Sequence, residues 1–156
     1  MLELEPTRLF SWAFTVAEDG KPLGTLDLSA WRERGEVRVA GQTFTIVRKG
    51  FVSSDFRLEA GGTIVATASK PSAFRREFDV TFSGRTMRLR PRSAWGRALV
   101  LREGEREVGT VTPRGMWSRR ATAMLPDTLS LPVRLFVLWL AVLVWKRDAD
   151  AAAATG

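Results

Sequence analysis

Leu135-Phe136-Val137-Leu138-Trp139-Leu140-Ala141-Val142-Leu143-Val144-Trp145 is an uninterrupted apolar run with no polar residue on any helical face. Pro126, Asp127 and Ser130 supply turn and N-cap chemistry ahead of it, and Lys146 and Arg147 follow it where a helix dipole favours cations. The pattern predicts one helix over about 131–147. A helix that is apolar all round must be surrounded, by protein or by lipid. A membrane span takes about 20 predominantly apolar residues, whereas a run of about 10 to 14 reads as a buried helix. Only eleven residues separate Leu135 from Trp145 inclusive, and extending the run back to Leu129 takes in Pro132 and Arg134. An arginine inside a span costs roughly 2.5–3.5 kcal/mol. Enclosure by protein is therefore expected, with Leu135, Phe136, Leu138, Trp139, Leu140, Val142, Leu143 and Trp145 as the core helix. A tilted anchor with its Lys146-Arg147 end at the cytoplasmic side is the alternative.

The rest of the chain offers the enclosure. A spacing of 43 residues links Trp31, Phe74 and Trp117, and the same spacing links Val37, Val80 and Ala123, Val39, Phe82 and Leu125, and Ala13, Phe56 and Leu99. Over the last two units it extends to Val65 with Val108, Thr67 with Thr110, Gly61 with Gly104, and Arg76 with Arg119. Three repeats of about 43 residues follow. Each reads as alternating runs joined by Gly-bearing turns, clearest in Phe56 to Ala60, Gly61-Gly62, Thr63 to Thr67. Roughly eleven or twelve short strands result, the first over Leu9 to Ala17. Cans of about eleven strands have room for a central helix where smaller barrels do not. The chain is therefore expected to be mainly β, a closed barrel of roughly twelve antiparallel strands enclosing one apolar C-terminal helix. It forms a single domain over 1–148 with a disordered tail over 149–156.

Chemistry is bounded by what is missing. The 156 residues contain no Cys and no His, so thiolate nucleophiles, disulfides and the commonest general base and metal ligand are absent. No cofactor, metal or catalytic site is expected, and no carboxylate pair or phosphate-cradling loop stands out. Ser53-Ser54-Asp55 has no neighbouring base and reads as a loop. The net charge is +7 and 20 of the 24 basic residues are Arg, which favours anionic partners. The excess is uneven, with residues 87–125 carrying +6. There Arg88, Arg90 and Arg92 alternate with Met87, Leu89 and Pro91, so a strand puts three guanidinium groups on one face, with Arg85 nearby. Such a face suits phosphate groups, and equally suits a solvated barrel exterior. Glu103, Glu105 and Glu107 read as cross-strand partners of Arg102 and Arg106.

Trp31-Arg32, Phe74-Arg75-Arg76 and Trp117-Ser118-Arg119-Arg120 place an aromatic before cations in each unit. This fits membrane-interface anchors, a stacking platform for single-stranded nucleic acid, or a repeated corner plugging the barrel end, the last being favoured because it obeys the fold's own period.

Three units of about four strands around an apolar Leu131–Arg147 helix, with hairpins such as Leu58 to Ala68 and Val100 to Thr112, resemble the tubby C-terminal-like superfamily. That superfamily includes the LURP-one-related proteins and the phospholipid scramblases. The resemblance covers Leu9 to about Arg147 and implies a helix-filled barrel that works at membranes on phosphoinositides or phospholipids. The chain departs from the scramblase pattern in lacking a cysteine-rich stretch and an Asp-rich calcium loop. The expectation is a non-enzymatic, monomeric binding module, cytoplasmic or peripheral at the inner membrane face, that takes anionic lipid headgroups. Arg85, Arg88, Arg90, Arg92, Arg119 and Arg120 are the candidate contacts. A nucleic-acid-binding barrel and a ligand-free interaction or structural barrel remain as alternatives.

Overall fold

Alternation of apolar and polar residues sets the strands, and two-residue turns set their pairing. The computed structural model describes residues 1–8, 11–28, 34–49, 55–115 and 118–155. Twelve strands are formed: β1 (Leu2–Pro6), β2 (Ala13–Glu18), β3 (Lys21–Leu28), β4 (Gly35–Val39), β5 (Gln42–Lys49), β6 (Asp55–Ala60), β7 (Thr63–Ser69), β8 (Phe78–Phe82), β9 (Arg85–Pro91), β10 (Leu99–Glu103), β11 (Arg106–Pro113) and β12 (Ala121–Met124). One helix, α1 (Leu131–Thr155), follows. Every strand pairs antiparallel with its sequence neighbour, and β1 closes the barrel on β12 through Leu2 opposite Ala123 and Leu4 opposite Ala121. A closed barrel has no free edge to aggregate.

The twelfth strand is the one the alternating-run reading passes over. Leu2-Glu3-Leu4-Glu5 is only two alternations long, yet Leu2 and Leu4 are buried and the strand bridges β2 and β12. Correspondingly, the second strand starts at Ala13 rather than Leu9, which lies outside the described residues.

The barrel has two unlike ends. At one, hairpin turns at Asp19-Gly20, Ala40-Gly41, Gly61-Gly62 and Ser83-Gly84 take positive φ at both central residues, and Gly104 does so in the fifth. This is the backbone handedness that matches the twist of paired strands. Register irregularities recur in alternate hairpins, at Val16/Ala17, Leu58/Glu59 and Leu101/Arg102. At the other end, among the described residues, longer connections lead from β7 to β8 over 70–77 and from β9 to β10 over 92–98, and residues 7–8, 11–12, 114–115 and 118–120 belong to two more.

Inward positions of β2 to β6 and β8 to β10 bury Phe14, Leu26, Val37, Ile46, Phe56, Leu58, Phe78, Val80, Met87, Leu89 and Leu101 in one core with α1. Every residue from Leu135 to Trp145 is buried. The helix therefore takes the place of solvent or lipid inside the barrel, and among the described residues no helix is long and apolar enough to cross a membrane. Outward positions such as Thr15, Thr25, Thr45, Thr86 and Arg88 are polar, the reverse of a lipid-embedded barrel. Two indole N–H groups inside the apolar core still find acceptors: Trp139 Nε1 donates to the Asp27 carbonyl at 3.0 Å and Trp145 Nε1 to the Arg97 carbonyl at 2.8 Å. Phe56 packs edge-on against Trp139 with ring centroids 5.3 Å apart.

The helix does not stop at Arg147. It continues through Ala149–Thr155, so the tail over 149–156 is helical as far as Thr155 and not a frayed strand of small residues. The run Ala151-Ala152-Ala153-Ala154 explains this, since alanine has the strongest helix propensity. The extra turns also move Lys146 and Arg147 away from the helix C-terminus. Lys146 instead pairs with Asp150 one turn on, and the Arg147 guanidinium lies 5.9 Å from the Phe56 ring centroid. At 25 residues the helix is about 38 Å long, more than the longest eight-residue strands can cover at about 27 Å, so its last turns project past the long-connection end.

Candidate functional site

The third-unit arginines sit where a period of two puts them. Met87 and Leu89 point into the core, while Arg88, Arg90 and Arg92 are exposed on the flank formed by β8, β9 and β10. Most of these guanidinium groups already hold a carboxylate. Arg88 Nε donates to Asp79 Oδ1 at 2.8 Å from the directly opposite residue of β8. Arg85 makes a two-pronged pair with Glu103 at 3.0 and 3.1 Å, and Arg92 reaches across β10 to Glu107 at 2.9 Å. These pairings correct the expected partners. Glu103 and Glu107 serve arginines of the β9 segment, and only Glu105 meets its hairpin neighbour Arg102. The hydrogen bond to Glu103 raises the Arg85 pKa, that to Asp79 raises Arg88, and the Arg85 hydrogen bond holds Glu103 below the usual carboxylate range.

Arg90 differs. Among the described residues its guanidinium has no hydrogen-bonded or ion-paired partner, and it stands opposite Val100. Next along the ladder, Arg102 lies directly opposite Arg88. The two like charges are each offset by a carboxylate, Asp79 for Arg88 and Glu105 for Arg102. Arg88, Arg90 and Arg102, with Thr86, Asp79 and Glu105, line a surface hollow of about 400 Å³.

Arg119 and Arg120 part company. Arg119 is tied down, donating to the carbonyls of Ser11 and Arg8 and lying 5.9 Å from the Trp12 ring centroid, so its role is to seal the β11–β12 connection against the β1–β2 one. Arg120 is exposed, and its backbone is fixed by donating to Ser118 Oγ and accepting from Arg114 N–H.

The Phe74 unit does not plug the barrel end as expected. Phe74 is 99% exposed, and its neighbour Arg76 turns inward instead, binding Asp148 at 2.7 Å and the Ala94 carbonyl at 3.2 Å. Trp31, Arg32 and Trp117 lie outside the described residues, as do Ser53 and Ser54, while Asp55 opens β6. The sequence reading missed Trp95, which is 98% exposed on the neighbouring connection. Its one signal is the setting Ser93-Ala94-Trp95-Gly96, where Ser93 Oγ accepts from Gly96 N–H at 3.0 Å and fixes a turn with the indole at its tip.

Compared with known protein families, with curated proteins and with solved structures, the chain gives no match in any of the three. The reading of this surface therefore rests on its own geometry.

Proposed function

We propose that the protein is a non-enzymatic module that binds anionic phospholipid headgroups at the cytoplasmic face of a membrane, in the manner expected of a tubby-like barrel. One observation carries the reading: Arg88, Arg90 and Arg102 converge on one hollow, in which Arg90 has no carboxylate partner among the described residues. Guanidinium groups bind phosphate oxygens bidentately, and a phosphate on Arg90 has Arg88 and Arg102 beside it in the same hollow. Asp79 and Glu105 on the rim keep the hollow from being a uniform cationic patch, which favours a compact headgroup over a long polyanion. Lipid binding and nucleic-acid binding draw on the same arginines but differ in partner and salt slope.

The test is a Gln series on vesicles containing phosphatidylserine. At about 1 kcal/mol per basic residue near an anionic surface, Arg90→Gln should weaken binding about fivefold, and replacing Arg88, Arg90 and Arg102 together about a hundredfold. Lys21→Gln, at the opposite side of the sequence's charge distribution, serves as the control and should change little. Loss of oligonucleotide binding with unchanged vesicle binding in the triple variant would move the assignment to nucleic acid.

A further inference from the structure

Phe74 and Trp95 are the most exposed of the large apolar side chains among the described residues, at 99% and 98%. Both lie on connections at the long-connection end of the barrel, one joining β7 to β8 and the other β9 to β10. Those connections are adjacent and tied together, because Arg76 of the first donates to the Ala94 carbonyl of the second and anchors to Asp148 of α1. Each is internally organised by a serine. Ser72 Oγ accepts from Phe74 N–H at 3.3 Å, and Ser93 Oγ accepts from Gly96 N–H at 3.0 Å. The second connection is pinned further by the Trp145 indole on the Arg97 carbonyl. Both rings are therefore displayed by built turns, not left over from a loose loop.

Displaying a large ring in water forgoes burial that would stabilise the fold, so a pair of them on tethered neighbouring tips calls for an occupant. We propose that Phe74 and Trp95 insert together into the headgroup–acyl boundary of an anionic membrane. This deepens the lipid-surface reading and rests on it for the charge of the membrane. The surroundings favour a bilayer over a protein partner. The rings stand on convex tips, which a fluid interface accepts at any position but a protein must match with two preformed pockets. Cations ring them: the 70–77 connection has three basic residues and one acidic, 92–98 two and none, and 114–120 three and none. Arg75, Arg114 and Arg120 among these are exposed. Trp in particular is suited to the interface, with an apolar body and a polar N–H. The opposite end presents Asp19, Gly20, Gly41, Gly61, Gly62 and Glu105 at its turns, and its apolar side chains Met1 and Ile64 are only about half exposed, at 53% and 50%. Weak apolar insertion coupled to basic attraction is the two-signal arrangement that gives stable yet reversible attachment.

The chain has no cysteine, so a single one can be placed at will. Ala94→Cys puts an environment-sensitive NBD dye beside Trp95 while leaving the ring in place, and Gln42→Cys, exposed at the β4–β5 turn, puts it at the opposite end and away from the hollow. With the whole chain and vesicles of phosphatidylcholine and phosphatidylserine at 3:1, the dye at 94 should shift to the blue and be quenched by bromine-labelled acyl chains, and the dye at 42 should not. Phe74→Ser with Trp95→Ser should lower vesicle affinity about a hundredfold, taking about tenfold for each ring inserted. Both side chains are exposed, so the melting temperature should not move. Vesicle binding by wild type with no shift at 94 and no loss in the double variant overturns the insertion and leaves the headgroup reading standing. A shift at 94 that is equally strong on pure phosphatidylcholine supports insertion and overturns the anionic requirement. Failure of wild type to bind either vesicle overturns both, and capture of an acidic protein by Phe74 and Trp95 under those conditions assigns the rings to a protein partner instead.

Discussion

Gly35 and Trp139 share one space at the heart of the barrel. A methyl group on Gly35 would collide with the Trp139 indole, whose N–H is held by the Asp27 carbonyl of the neighbouring strand. Gly35→Ala should therefore destabilise by about 1–3 kcal/mol through overpacking, read by urea denaturation. Leu138 and Leu140 probe the same core by charge: both are buried on α1, so Leu138→Asp or Leu140→Asp introduces an unpaired carboxylate costing several kcal/mol. A variant of either kind that melts like wild type would remove α1 from the core. On the surface, Glu103 gives a pH signature. Its folded pKa lies below the ordinary value of 4.5 because Arg85 hydrogen-bonds the ionised form. The pair's contribution is thus complete above the unfolded value and is lost as pH falls through the lower folded value. Melting curves of wild type and Glu103→Gln should be separated by a constant gap well above the ordinary carboxylate value, and the gap should narrow progressively as pH falls below it. A gap that widens on acidification would contradict the pairing.

At the scale of the elements, α1 divides into an enclosed part and a projecting part. Residues 149–155 are exposed, and Asp150 alone among them reaches back, to the buried Lys146. Deleting residues 151–156 should leave stability within about 0.5 kcal/mol, the usual range for exposed positions. Asp150→Asn should cost more, about 1 kcal/mol, because it strands a largely desolvated ammonium group. Equal melting temperatures for the two variants would mean the projecting turns carry no anchoring role. The strands and the helix were legible in the sequence for opposite reasons. Long, clean alternation as in Arg85–Pro91 fixes a strand locally, and eleven apolar residues in a row fix a buried helix. β1 was obscure because two alternations beside Glu3 and Glu5 carry almost no local signal, and its burial comes only from barrel closure on β12. The helical tail was obscure because an alanine run is compatible with fraying until a preceding helix supplies the nucleus.

For the whole molecule, the site was half legible. Which face the β9 arginines take follows from a period of two, but which of them are already paired depends on register and strand order. Arg92 finds Glu107 two strands away, a contact no local pattern announces. The convergence of Arg88 with Arg102 depends likewise on the β9–β10 register. Trp95 escaped because it stands outside the 43-residue spacing that drew attention to Phe74. Together these features lie on one side of the barrel: the β8–β10 flank carries the hollow, and the connections at its long-connection end carry the rings. A membrane lying along this flank would meet both, with the helix held inside throughout. The most direct test is flotation of the wild-type chain, prepared without detergent, with vesicles of pure phosphatidylcholine and with vesicles containing phosphatidylserine, across a salt series and with a competing oligonucleotide. The account predicts flotation at least about tenfold stronger with phosphatidylserine, weakening as salt screens the charge and unaffected by equimolar oligonucleotide. Absence of flotation with either vesicle, or its abolition by the oligonucleotide, would contradict it.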